Sequence, residues 1–185
     1  MAEVKVLIEG YAAADSAGGE KTCATISLIK DGDNRIIVDP GILENQKMLV
    51  DKLKEEGLST GDINIVFITH SHIDHHRNIG MFPEAKTLEY YGLWDKNIVQ
   101  DWREQFSEDI KIIKTPGHSM DGLTLMVKTA DGVVAVCGDV FWKKDFPEED
   151  PYASDSEKLK ESRKLVLESA DWIIPGHAGM FKVEQ

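Results

Sequence analysis

The stretch Thr69-His70-Ser71-His72-Ile73-Asp74-His75-His76 constrains this chain more than any other. It holds four of the six histidines in 185 residues, with an aspartate among them, directly after the largely apolar run Ile63 to Ile68. Neutral imidazole and carboxylate are the donors that divalent zinc or iron prefers. Spacing matters too, because side chains two apart share a face of an extended chain. A strand continuing through His70 predicts that His70, His72 and Asp74 point the same way, with His75 reaching in as the chain turns. A solvated histidine-rich loop is the competing reading of this stretch taken alone.

A chain of 185 residues that is 42% hydrophobic can bury a sizeable core, and one domain spanning 1–185 is expected. No segment approaches the roughly eighteen consecutive apolar residues of a membrane span. Met1 to Val6 lacks the basic start and apolar centre of a signal peptide and reads as a first strand. Cys23 and Cys137 form no Cys-x-x-Cys pair, so a disulfide scaffold is not expected and a cytoplasmic location is. The net charge of −12 disfavours nonspecific nucleic-acid binding, which lives on clustered Lys and Arg. It does not exclude a nuclease whose metals meet the phosphate.

Alternation of Val4, Val6 and Ile8 predicts a short strand, followed by a loop over Gly10 to Gly19. Thr22 to Lys30 and Arg35 to Val38 read as a hairpin around Asp31-Gly32-Asp33-Asn34. Leu43 to Glu56 reads as a helix closed by Gly57 with Leu58 beyond it. Asp62 to Ile68 is a buried strand leading into the histidines. Lys86 to Tyr90 is read as a short strand, and Leu93 to Phe106 as a helix or lid carrying Trp94 and Trp102. Strands follow at Ile110 to Lys114, Leu123 to Thr129 and Val133 to Cys137. An acidic loop over Phe141 to Tyr152, with Pro147 and Pro151, leads to Ser154-x-x-Glu157, a capping-box pattern opening a helix to about Ser169. Asp171 to Ile174 completes the set, and the order of strands and helices is that of an α/β protein.

The other two histidines and one aspartate follow the same device. Ile112 to Lys114 leads through Thr115-Pro116-Gly117 to His118, Val134 to Cys137 through Gly138 to Asp139, and Trp172 to Ile174 through Pro175-Gly176 to His177. Each glycine allows a sharp turn before a polar side chain at a strand end, where sites are usually assembled. Singly, each histidine reads as a turn residue and Asp139 as a cap. Together they point to a metal site.

These residues resemble the metallo-β-lactamase-fold hydrolases. The signature His-x-His-x-Asp-His is matched from His70 to His75, and the Asp of Asp39-Pro40-Gly41, a Gly-His, a Gly-Asp and a final Gly-His follow the family pattern in order. The resemblance spans the chain from Asp39 to His177. It implies a four-layer αββα sandwich with a dinuclear site along the sheet edges. It also implies His70, His72 and His118 on one metal, Asp74, His75 and His177 on the other, and Asp139 bridging them. Two divalent ions, zinc first with iron or manganese as alternatives, would share a hydroxide that attacks the substrate. Asp74 would also orient or deprotonate that nucleophile, and Asp39 would hold a ligand imidazole by its other nitrogen.

Within the family the segment from His72 to Pro83 is most similar to a small branch of compact hydrolases. The antibiotic-degrading branches lack the bridging aspartate, and Cys137 reads as a buried strand residue. Arg77 stands where a glycine is frequent. His76 has no ligand role in the pattern and reads as packing, as do Trp94, Phe141 and Trp142, which could otherwise line a pocket. The expected activity is hydrolysis of a small-molecule ester, thioester or lactone. The alternatives are a phosphodiesterase or ribonuclease, a mononuclear iron persulfide dioxygenase, or a non-catalytic metal- or redox-sensing protein. Oligomeric state is open.

Overall fold

The computed structural model describes residues 1–145 and 148–184. The chain opens with β1 (Glu3–Ile8), then pairs β2 (Tyr11–Ala14) with β3 (Glu20–Cys23) in a separate two-stranded hairpin. β4 (Ile26–Asp31) lies antiparallel to β1, and β5 (Asn34–Val38) follows it across a tight turn. α1 (Lys47–Glu55) crosses to β6 (Ile65–Phe67), which runs parallel to β5. One short helical turn, α2 (Ile73–His76), precedes β7 (Lys86–Glu89), parallel to β6. β8 (Gly92–Asp95) and β9 (Ile98–Gln100) complete a seven-stranded sheet in the order β1-β4-β5-β6-β7-β8-β9. The second sheet holds β10 (Ile110–Lys114), β11 (Leu123–Thr129), β12 (Gly132–Val136), β13 (Trp172–Ile174) and β14 (Phe181–Lys182) in chain order. α3 (Ser156–Ser169) makes the crossover between the parallel strands β12 and β13.

Alternation along the strands creates the layers. Ile36, Val38 and Phe67 face Ile112, Leu125, Val136 and Ile174 in a core between the two sheets. Ile37 and Val66 point the other way, onto Leu49 and Leu53 of α1. On the second sheet, Ala135, Cys137 and Ile173 turn outward onto Leu159 and Val166 of α3. The central strands are thus covered on both faces, which explains why β4, β6, β11 and β12 read as largely apolar runs, whereas the edge strands β1 and β10 alternate. The result is the expected α/β fold, a four-layer αββα sandwich of the metallo-β-lactamase type. Burial pushes the Cys137 thiol up, far from the reactive range.

Several local readings change. The strand read from Thr22 to Lys30 breaks at Ala24-Thr25, where Thr25 N–H donates to Gly176 O and its hydroxyl to Ala178 O. The expected loop over 10–19 contains β2. The 62–68 strand is regular only over Ile65–Phe67. α1 starts at Lys47 rather than Leu43, but ends as read: Gly57 has φ 72°, and Leu58 N–H donates to Leu53 O. α3 is capped by Asp155, which accepts from Lys158 N–H, and not by Ser154. No helix forms over 93–106. Val99 and Ile98 are β-branched, and Lys96 adopts φ 56° in the turn, so the segment makes the β8–β9 hairpin instead. Within 141–152 the described residues make no regular strand or helix after the 3₁₀ turn Gly138–Val140. Pro147 lies outside the described residues. Among the described residues, no helix is long and apolar enough to cross a membrane.

Candidate metal centre

Strands β5 and β6 run parallel, as do β12 and β13, while β10 shares the direction of β12 because both are antiparallel to β11. Their C-terminal ends therefore deliver Asp39, His70, His118, Asp139 and His177 to one edge of the sandwich. Asp39 follows β5 with φ 48°. Its carboxylate is buried and organises the loop after β6. Oδ1 accepts from Thr69 N–H at 2.8 Å, and Oδ2 accepts from the Thr69 hydroxyl at 2.6 Å. The outer side of the loop is tied by Ser71 N–H to Asp121 Oδ2 at 3.0 Å.

The extended arrangement expected for the histidine stretch does not persist. β6 ends at Phe67, and Asp74 and His75 lie on α2. A helical turn separates Asp74 from the direction of His70 and His72. Two groups result. His70, His72, His118 and Asp139 have ligand atoms within 4.8 Å of one another, and so do Asp74, His75 and His177. Asp139 lies between the groups. Its Oδ1 is 3.2 Å from His75 Nε2, and its Oδ2 is 3.2 Å from His177 Nε2 and 3.3 Å from His118 Nε2. A Cβ on Gly176 would come within 1.8 Å of Asp139 Oδ1, so only glycine lets the last loop pass this close.

Outer nitrogens of the rings are held as well. His75 Nδ1 lies 2.7 Å from Asp39 Oδ2, the kind of contact that the family resemblance implied for that aspartate. His118 Nδ1 is 2.7 Å from Asp150 Oδ2, His177 Nδ1 is 3.1 Å from Cys23 O, and His70 Nδ1 is 3.1 Å from Thr69 Oγ1. Asp74 Oδ2 accepts from the Thr22 hydroxyl at 2.7 Å. Asp150, Asp121 and Thr22 were invisible in the sequence. Asp150 ends an acidic run, Glu148-Glu149-Asp150, and nothing local separates it from its solvated neighbours.

These residues fit a bound cation. His72 Nδ1 faces His70 Nε2 at 2.9 Å and His118 Nε2 at 3.0 Å, three inward ring nitrogens crowded together. His75 Nε2 and Asp139 Oδ1 are buried without a hydrogen bond, although they stand 3.2 Å apart. A cation taking the place of the His75 proton would satisfy both atoms. Burial, then the charge of His75, holds His70 well below the usual imidazole range; burial and His118 lower His72. Both rings are thereby kept neutral near pH 7, the form that binds metal. Burial opposes charge on His75, but the carboxylates of Asp139 and Asp39 outweigh it and raise the ring well above the usual range. Burial likewise works against the Asp139 carboxylate, and the positive His75 and the His177 hydrogen bond overcome it, holding Asp139 well below the usual value.

The aromatics separate by position. Trp142 is buried, with its ring centroid 5.8 Å from His177 and 6.1 Å from His118, and stacks on Tyr152 at 5.6 Å. It packs against two rings of the site and also lines a cavity, so both readings of the sequence hold for it. Beside it a cavity of about 130 Å³ is lined by Ala12, Ala13, Ala14, Glu20, Trp142 and His177. Phe141 joins the core under α3, and Trp94 sits on the β8–β9 hairpin, bonded to Glu89 Oε1. His76 turns away from both groups and bonds to Ser71 O at 3.2 Å.

Similarity to known proteins points the same way. The model of the metallo-beta-lactamase superfamily matches residues 24–96. Metallo-beta-lactamase domain-containing protein 1 of Xenopus laevis is 32% identical over 192 residues, covering 97% of this chain and 81% of that protein. A probable metallo-hydrolase of Methanocaldococcus jannaschii is 28% identical, covering 98% and 90%. In fold, a crystallographically solved Thermotoga maritima protein assigned to the metallo-beta-lactamases superposes with a TM-score of 0.76 at 24% identity, covering 98% of this chain and 99% of that one.

Proposed function

The chain belongs to the metallo-beta-lactamase superfamily, and we propose that within it the protein is a two-metal hydrolase of small esters, thioesters or lactones. His70, His72 and His118 would hold one ion, Asp74, His75 and His177 the other, with Asp139 between them. The observation that carries this reading is the Asp139 carboxylate, 3.2–3.3 Å from imidazoles of both groups, with Oδ1 buried and unbonded. Nitrogen and carboxylate donors in these proportions suit zinc, with iron or manganese as the nearest alternatives. Two divalent ions so held would bring the pKa of a water to about 7 and polarise the carbonyl under attack.

The chain's own groups do the rest. Thr22 fixes the Asp74 carboxylate in one orientation through its 2.7 Å bond, ready to take a proton from the attacking water. With an ion bound in place of the Nε2 proton, Asp39 would keep the remaining proton of His75 on Nδ1 and so aim Nε2 inward. Trp142 and the alanines of β2 line the cavity beside His177, where a small acyl group could sit. The −12 charge repels a polynucleotide, which favours a small-molecule substrate. Buried, unpaired Cys23 and Cys137 suit a reducing compartment, in keeping with a cytoplasmic location.

Metal analysis coupled to a substrate panel tests the proposal. Two zinc ions per chain and turnover of a p-nitrophenyl ester, a thioester or a lactone are expected. A single iron with oxygen uptake, or turnover restricted to bis-p-nitrophenyl phosphate or single-stranded RNA, would replace it. Asp74→Ala should lower kcat by about 10²–10⁴-fold, the range of a general base, with an unchanged circular dichroism spectrum. Wild-type turnover by that variant would remove Asp74 from proton transfer.

A further inference from the structure

We propose that Asp150 is the positioning residue of the first ligand group, fixing the tautomer and aim of His118 as Asp39 does for His75 in the second. The inference rests on the two-metal reading above. His118 arrives on a turn with little freedom of its own: Gly117 has φ 138°, and a Cβ there would meet the backbone of Leu159 at 2.3 Å. What sets the ring is the segment that follows. Asp150 is wholly buried at its side chain, and its Oδ2 stands 2.7 Å from His118 Nδ1. Its Oδ1 accepts from Tyr152 N–H at 2.8 Å, which fixes the carboxylate plane. Two backbone bonds join the same pieces of chain, Ser154 N–H to His118 O at 3.0 Å and Asp155 N–H to Gly117 O at 2.9 Å.

An ionised carboxylate only accepts hydrogen bonds. The proton of a neutral His118 ring must then sit on Nδ1, leaving the lone pair on Nε2. That nitrogen is the inward one, 3.0 Å from His72 Nδ1 and 3.3 Å from Asp139 Oδ2. Each ligand group thus contains one histidine backed by a buried carboxylate at 2.7 Å, Asp39 behind His75 and Asp150 behind His118. Both carboxylates also add negative charge where a divalent cation is to be held.

Zinc titration against a chromogenic chelator, comparing the full chain with Asp150→Asn, tests this. Asparagine keeps an acceptor and the turn but loses the charge. One of the two affinities is expected to fall about 10–100-fold, the usual effect of such outer partners, and the other to remain. Two unchanged affinities with a lowered melting temperature would make Asp150 a structural residue and overturn the inference alone. A wild-type chain that binds no zinc would overturn the two-metal reading, and this inference with it. Should the variant fail to fold, nitrogen NMR of the zinc-loaded wild type decides. His118 is expected to carry its proton on Nδ1, and a bare Nδ1 would overturn the assignment.

Discussion

Asp139→Ala is expected to lower zinc affinity by more than about a hundredfold, beyond the upper range for an outer partner, and to abolish hydrolysis while the fold survives. Asp139 touches imidazoles of both groups, so its removal acts on both ions, whereas loss of His118 or His177 acts on one. The fold should survive because the two apolar cores that flank the second sheet do not depend on this carboxylate. Removing Asp139 also takes away the charge that keeps His75 raised, leaving Asp39 as its remaining carboxylate partner. Zinc content after gel filtration, with circular dichroism as the control, measures the outcome. Retention of two ions by the variant would show that Asp139 does not lie between them.

The second large effect concerns stability. Phe67→Ala should destabilise the protein by about 3–5 kcal/mol, the range for deleting a buried aromatic side chain. For a chain of this size that corresponds to a fall in Tm of roughly 6–20 °C. Phe67 is 1% exposed in the core between the sheets, and its carbonyl accepts from Asp39 N–H at 2.9 Å. The cavity would therefore open directly behind the loop that carries His70. Thermal unfolding of the metal-free protein isolates packing from metal linkage. Ile98→Ala is the control: Ile98 is 58% exposed on the edge strand β9, and its loss should shift stability by no more than about 0.5 kcal/mol. Equal effects of the two substitutions would mean that the inter-sheet core is not where stability resides.

Legibility followed physical cause. β10 and β11 were read to the residue because both are apolar-rich and bounded by polar turns, β10 carrying exposed lysines at the sheet edge and β11 buried throughout Leu123–Val127. The 93–106 segment was read as helix or lid because Trp94, Trp102 and scattered apolar residues fit either period, and only the pairing of β8 with β7 resolves its first part. Ser154 was read as the cap because its spacing to Glu157 matches the pattern. Asp155 takes the position: bonds from Ser154 N–H and Asp155 N–H to the His118 turn place it there, and its carboxylate accepts from Lys158 N–H.

For the site, the candidate donors were legible in the sequence. His70, His72, Asp74 and His75 are recognisable from their crowding after an apolar run, and His118, Asp139 and His177 from the glycine before each, all of them local properties. How those donors divide could not be read from spacing: the family resemblance implied one grouping, and the tertiary structure brings the side chains together in two groups. An extended strand would have aligned Asp74 with His70 and His72, but the chain turns into α2 after β6 and sends Asp74 toward His177 instead. The outer partners were equally unreadable. Asp150 reaches His118 across 32 residues, and Thr22 reaches Asp74 across 52. A hydrogen bond over such separations leaves no periodicity or spacing in the chain. It exists only once two sheets have packed and brought their strand ends to the same edge.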